Sequence, residues 1–245
     1  MSVRHQFFRE ICFRGAGVLF PFYLGICAVM KRLGRRFEIL RGMSSGALVA
    51  TFVACDLPLE KLLIRFQRFL WWYKTSHGSD SHWKRVLKAV VLDLKYRHQI
   101  LPRVMRALIS DDQARACSGR LSVVAFSLTD LRVIENNQWR DTQHLIDWVL
   151  ASMAIPCTSL PRHVDGHWLM DPYHFDCFWP LNRGGQARSC LYASPLERYP
   201  WILLRPPAPW TFSMLDSLTC STAQMMYTLY RLGLYTALSS WALFL

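Results

Sequence analysis

Ser44 stands between two glycines in Gly42-Met43-Ser44-Ser45-Gly46, after a short apolar stretch at Phe37–Leu40 and before an apolar run at Ala47–Cys55. Glycine on both sides lets a chain turn sharply from strand to helix. A serine hydroxyl then projects above the sheet edge, and the following helix points its N-terminus at the reaction centre. Nucleophilic acyl transfer is the chemistry such a turn serves. As a bare pattern G-x-S-x-G is weak, because glycine and serine are common residues; its place between strand and helix gives it weight. A second glycine turn, Gly15-Ala16-Gly17, also follows a strand-like stretch and opens a helical one. Backbone N–H groups freed at such a turn can stabilise an oxyanion. By itself it reads better as a close-packed strand-to-helix turn. A dinucleotide or P-loop reading is disfavoured, since Phe20 stands where the third glycine of G-x-G-x-x-G belongs and no Walker lysine follows.

These turns need elements to position them. Phe8–Phe13 is short and apolar-rich, and Val18–Leu33 is long enough for a buried helix that stops at Gly34. The order strand, helix, strand, helix over the first third favours a parallel sheet with helices on its faces. From Pro58, apolar residues recur at helical spacing through Tyr73, with basic residues on the other faces. A second basic helix is expected over His82–Tyr96, and a third after Pro102. Leu121–Leu128 reads as a core strand. Thr142–Ala154 reads as a helix with Asp141 as N-cap and Pro156 as terminator. Asp165-Gly166 suits a two-residue hairpin turn flanked by His163-Val164 and Trp168-Leu169-Met170. The expected organisation is one α/β domain over residues 1–211, with a basic helical segment at 58–110. An apolar helical tail at 212–245 packs on the domain or lies at a membrane.

Four segments in this order resemble the patatin-like phospholipase family. Phe13-Arg14-Gly15-Ala16-Gly17-Val18-Leu19, with Tyr23-Leu24-Gly25 beyond it, is similar to that family's glycine-rich oxyanion motif and the helix after it. Gly42-Met43-Ser44-Ser45-Gly46-Ala47-Leu48 resembles its nucleophile elbow. Phe126-Ser127-Leu128-Thr129-Asp130-Leu131 resembles its central strand, and Ala151-Ser152-Met153-Ala154-Ile155-Pro156 its A-S-x-A-I-P segment. The resemblance spans residue 11 to about residue 180 and is nearest the branch that includes adipose triglyceride lipase. It implies a three-layer α/β fold with a mostly parallel central sheet. It also implies a serine lipid acyl hydrolase working through a Ser-Asp dyad, with Ser44 as nucleophile, Gly42 and Gly46 framing the elbow, and the backbone of Gly15, Ala16, Gly17 and Val18 as oxyanion hole. Neither cofactor nor metal is implied.

The family's base lies in a D-G-[GA] motif, and here the sequence departs from it. Two aspartates compete. In the family's register an Asp-Gly hairpin turn comes first, then a short aromatic-rich strand, the base and a later proline. Asp165-Gly166, Trp168-Leu169-Met170, Asp171 and Pro180 fit those places, which favours Asp171. Asp165 keeps the literal Asp-Gly but sits early, and Asp176 is a remote third. Pro172 and Tyr173 replace the glycine that should follow the base. A catalytically weak or inactive protein that binds lipid surfaces is therefore the alternative to an enzyme. His163, His167 and His174 cluster nearby, but their spacing crosses a hairpin and not one helix face, which does not indicate a metal site.

The 245 residues carry a net charge of +12, with 52% hydrophobic residues and 19% charged ones, which excludes a disordered basic tail. Residues 61–106 hold eleven Lys or Arg against two Asp, a net of +9. Lys61, Arg65, Arg68, Lys84, Arg85 and Lys88, interleaved with Trp71, Trp72 and Trp83, suit an anionic membrane or lipid-droplet surface, beside the plain reading of a solvated helix face. No zinc-finger, RNP or homeodomain pattern supports nucleic acid. The eight cysteines are scattered singly, as expected of buried thiols in a reducing compartment. The apolar run at Val18–Met30 has basic residues before it, but it lacks a clean cleavage site and is too short to span a bilayer. A cytoplasmic protein, peripherally bound to membranes or lipid droplets, is the expectation.

Overall fold

The computed structural model describes residues 9–59, 61, 63–64, 99–156, 159–173, 190–196, 202–206 and 223–240. In chain order its elements are β1 (Glu10–Phe13), α1 (Pro21–Arg32), β2 (Ile39–Met43), α2 (Ser45–Ala54), α3 (Leu101–Leu108), α4 (Asp111–Ala116), β3 (Leu121–Ser127) and β4 (Arg132–Asn136). They continue as α5 (Thr142–Ser152), β5 (Arg162–Val164), β6 (His167–Met170), β7 (Cys190–Ala193), β8 (Ile202–Leu204) and α6 (Ala223–Ser239). The strands are hydrogen-bonded in the succession β5-β6-β3-β2-β1-β7-β8, and β4 also pairs with β3. The run β3-β2-β1-β7-β8 is parallel throughout, whereas β4, β5 and β6 join by antiparallel pairs.

Burial explains why several strands read as apolar runs without alternation. Ile11, Phe13, Val123, Ala125, Leu191 and Ala193 face the main core with α1, α2 and α5. Cys12, Met43, Val124, Cys190 and Tyr192 form a second buried cluster from the alternate positions. Strands covered on both faces are what a parallel sheet between helices produces. That second face also holds a partly buried charge group, in which Arg41 bridges Glu10 on β1 and Glu135 on β4.

The expected N-terminal helix is a 3₁₀ turn, Gly17–Leu19, followed by α1 with Pro21 in its first turn. α5 has the expected cap, the Asp141 carboxylate accepting the His144 N–H at 2.7 Å. Asp165 and Gly166, both at positive φ, form the expected hairpin turn. β2 runs three residues beyond the expected stretch and includes Gly42. β4, α4, β7 and β8 were not anticipated. α6, from the apolar tail, packs on α1 through glycines: a Cβ on Gly233 would lie 1.9 Å from the Phe22 carbonyl oxygen, and one on Gly25 2.1 Å from that of Tyr230. Cys12, Cys27, Cys55, Cys117 and Cys190 are buried thiols not joined in disulfides; the other three cysteines lie outside the described residues. Among the described residues no helix is long and apolar enough to cross a membrane.

Candidate active site

Ser44 has φ 54° and ψ −132°, outside the range a non-glycine residue takes at low cost. It follows β2 and directly precedes α2. The turn is this sharp because its flanks carry no side chains: a Cβ on Gly46 would fall 2.1 Å from the Phe13 carbonyl oxygen, and one on Gly42 2.5 Å from the Ala47 Cα. The end of β1 therefore presses directly against the start of α2, which places Gly15-Ala16-Gly17 beside the serine. A Cβ on Gly15 would sit 3.5 Å from the Ser44 Cβ.

The pairing along β3 locates Asp171. Val123 and Val124 pair with Gly42 and Met43 of β2 on one edge and with Asn136 and Glu135 of β4 on the other. Phe126 and Ser127 pair with β4 as well, and also with Met170 and Leu169 of β6. A strand has two edges, so β2 and β6 share the edge opposite β4 and run toward each other along it. Continuing each register by one residue brings Ser44 and Asp171 to Ala125 from opposite ends. Ser44 is 5% exposed and Asp171 1%.

The end of α5 and the residues just after it hold both arrivals. The Ser44 N–H donates to Ser152 Oγ at 2.8 Å, and the Ser152 hydroxyl donates to the Val124 carbonyl at 2.6 Å. The Asp171 N–H donates to the Ala154 carbonyl at 2.9 Å. Ser152 belongs to the A-S-x-A-I-P segment, but no local signal marks it as a partner of a residue 108 positions away.

The departure from the D-G-[GA] pattern has a local account. The Tyr173 N–H donates to Asp171 Oδ1 at 2.9 Å, a turn closed by the aspartate's own side chain. Proline suits the position between them because its φ is fixed and that turn asks no N–H of it. Tyr173 finds space opposite a residue without a side chain: a Cβ on Gly15 would meet its ring at 2.7 Å. The ring thus covers the oxyanion-type loop next to Ser44.

Asp165 lies at the far end of β6 in other company. Its carboxylate accepts from Trp148 Nε1 at 2.8 Å and contacts His144 Nε2 at 2.7 Å and Arg140 Nη2 at 2.8 Å. Partial burial pushes its pKa up, but the hydrogen bonds from His144 and Trp148 and the charge of Arg140 outweigh that and hold it below the usual carboxylate range. Asp165 is thus engaged in bracing the hairpin to α5. Asp176 and His174 lie outside the described residues. His163 packs on Trp168 with ring centroids 5.2 Å apart, while His167 is 2.8 Å from Asp130.

Of the oxyanion candidates, the Ala16 N–H donates to Ser45 Oγ at 3.2 Å. Gly17 takes φ 51° and starts the 3₁₀ turn. Among the proposed surface residues, Lys61 is exposed in a helical stretch after Pro58; Arg65, Arg68, Trp71, Trp72, Trp83, Lys84, Arg85 and Lys88 lie outside the described residues.

A family profile described as patatin-like phospholipase matches residues 11–172, a span that includes both Ser44 and Asp171. Among solved structures, the chain is similar to VipD from Legionella pneumophila at 12% identity and a TM-score of 0.43, over 76% of this chain and 49% of that one. The present chain therefore spans about half the length of VipD.

Proposed function

Because the chain belongs to the patatin-like phospholipase family, we propose that it is a lipid acyl hydrolase in which Ser44 is the nucleophile and Asp171 the base of a Ser-Asp dyad. The observation that carries this reading is the head-on approach of β2 and β6 along one edge of β3, which brings a strained serine and a buried aspartate to the same residue, Ala125. Asp171 takes the hydroxyl proton as Ser44 Oγ attacks the carbonyl carbon of a carboxylic ester. Charge developing on the carbonyl oxygen meets the backbone N–H groups of Gly15, Ala16, Gly17 and Val18 and the positive end of α2. That oxygen competes with Ser45 Oγ for the Ala16 N–H, and Ser45 can turn its own hydroxyl proton toward the charge. Collapse breaks the ester C–O bond, and the alcohol leaves with the proton held by Asp171. Water then gives a proton to Asp171 and attacks the acyl-enzyme; Ser44 recovers that proton as the fatty acid departs.

Within the family, the run Phe13–Leu19 supports a place nearest the branch that includes adipose triglyceride lipase. The substrate proposed is an ester of membrane or stored lipid, met at an anionic membrane or lipid-droplet surface by the basic segment over residues 61–106. Its net charge of +9 supports that part of the reading. A peripheral, cytoplasmic location follows from the same reading.

A fluorophosphonate probe tests the dyad. The wild type is expected to label covalently, and both Ser44→Ala and Asp171→Asn to lose labelling while staying folded. Asp165→Asn is expected to label. If only Asp165→Asn abolishes turnover of an acyl ester, the assignment of the base is wrong. The cover that Tyr173 places on Gly15 favours a second reading, a lipid-surface protein with little turnover. A folded wild type that neither labels nor hydrolyses any member of a lipid-class panel would establish it in place of the enzyme.

A further inference from the structure

A cavity of about 280 Å³ opens between α3, α5 and the start of β5, sharing no residue with the candidate active site. Among the described residues that line it are three arginines, Arg103, Arg106 and Arg162, and one carboxylate, Asp147. The wall therefore carries a formal excess of two positive charges. Its polar groups form a chain. Arg106 directs Nε, at 2.9 Å, and Nη2 onto the single amide oxygen of Gln143. Gln143 Nε2 donates to Asp147 Oδ2 at 2.9 Å, and Arg162 Nη1 reaches Asp147 Oδ1 at 3.1 Å. Both oxygens of the one carboxylate are thus engaged by Gln143 and Arg162, and the fork of Arg106 closes on a neutral acceptor. A guanidinium fork matches the paired oxygens of an anion better than one amide oxygen. Arg103 lies one helical turn before Arg106 on α3, and its charge has no carboxylate partner among the described residues. Arg162 is partly buried, and burial lowers its affinity for its proton by more than Asp147 restores.

We propose that this cavity binds a phosphomonoester, whose charge of about −1.5 to −2 near pH 7 offsets the excess and whose three terminal oxygens offer acceptors to Arg103, Arg106 and Arg162. The proposal does not depend on Ser44 being a nucleophile. The phosphate can belong to a soluble ester or to a lipid headgroup, and two probes separate the sources. Glycerol 3-phosphate is titrated into the full chain by calorimetry. Flotation is measured with phosphatidylcholine vesicles containing phosphatidic acid, or containing phosphatidylglycerol at matched surface charge. The expected result is saturable 1:1 binding of glycerol 3-phosphate, or a preference for phosphatidic acid over phosphatidylglycerol, reduced at least tenfold in Arg103→Gln/Arg106→Gln. Binding of the soluble ester assigns a soluble ligand; binding confined to phosphatidic acid vesicles assigns the headgroup. Arg103→Gln, at an exposed position, is expected to lower affinity in the same direction and serves if the double variant melts. Binding of neither probe overturns the proposal. Affinity unchanged in the arginine variants, or indifference to which anionic lipid is present when glycerol 3-phosphate does not bind, overturns it equally.

Discussion

Ser44 holds a backbone conformation that costs of order 1–3 kcal/mol unless its surroundings impose it. Ser152 is a chief part of those surroundings, because its hydroxyl accepts a hydrogen bond from the Ser44 N–H and donates one to the Val124 carbonyl on the neighbouring strand. Ser152→Ala leaves a buried donor and a buried acceptor without that hydroxyl, a loss of about 1–3 kcal/mol. Urea denaturation is expected to register that loss, and fluorophosphonate labelling of Ser44 to slow with it; unchanged labelling would show that the elbow is held without Ser152. Tyr173 acts differently, by occupying space over Gly15. Tyr173→Ala is expected to shift the ratio of kcat/KM for a branched acyl ester over a straight short one upward by about tenfold, within the 1–3 kcal/mol that one misfitted methylene is worth. A ratio that stays put would show that the Tyr173 ring does not limit the acyl group. At this scale the glycine-flanked serine was legible because a sharp turn needs glycine whatever the surroundings. Ser152 was not, because its role arises from a contact that only the folded sheet creates. Pro172 and Tyr173 stood out as departures, but that the turn needs only the Tyr173 N–H, and that Gly15 makes room for the ring, became visible only in three dimensions.

Two pairs of elements carry loads that their own sequences only half announce. α1 and α6 cross with their backbones in contact at Gly25 and Gly233, so any side chain there must push two helices apart. Gly233→Ala is expected to lower stability by about 1–3 kcal/mol in chemical denaturation, as overpacking does, whereas Tyr235→Ala, on the exposed side of α6, should change it little. Equal effects would mean that the crossing is not a point of tight packing. The β5–β6 hairpin, which delivers Asp171, is braced on α5 by Asp165. A carboxylate whose pKa is lowered by folding contributes stability above its unfolded value, near 3.9, and loses it as pH falls through the folded value. The melting-temperature gap between wild type and Asp165→Asn should therefore be widest near neutrality and close in acid; a gap independent of pH would refute the brace. The hairpin and α5 were readable because Asp-Gly and an Asp cap are local signals. β4 was not, since it is short, carries Glu135 for a partner on β2, and is only half-buried. β7 was missed because four residues buried on both faces show no period.

Charge is a property of the whole chain, and its distribution argues for a surface more than for a site. The candidate dyad lies among buried, mostly uncharged groups, whereas the excess of +9 falls in residues 61–106, between the helix that follows Ser44 and the strand that pairs with it. A soluble ester can reach Ser44 without help from that segment; a lipid packed in a bilayer cannot do so until the protein is held at the interface. Removing charge there should therefore split the two activities. A variant with Arg65, Arg68, Lys84, Arg85 and Lys88 changed to Gln is expected to float poorly with anionic vesicles and to lose turnover of vesicle lipid, while labelling by a soluble fluorophosphonate stays near that of wild type. For the unaltered chain, raising salt from about 0.05 to 0.5 M should reproduce the loss of flotation, because screening shortens the reach of exposed charges to a few ångströms. Flotation that resists both salt and the five substitutions, or that is equal on neutral vesicles, would leave the interleaved tryptophans as the attachment and turn the positive excess into a solvated helix face.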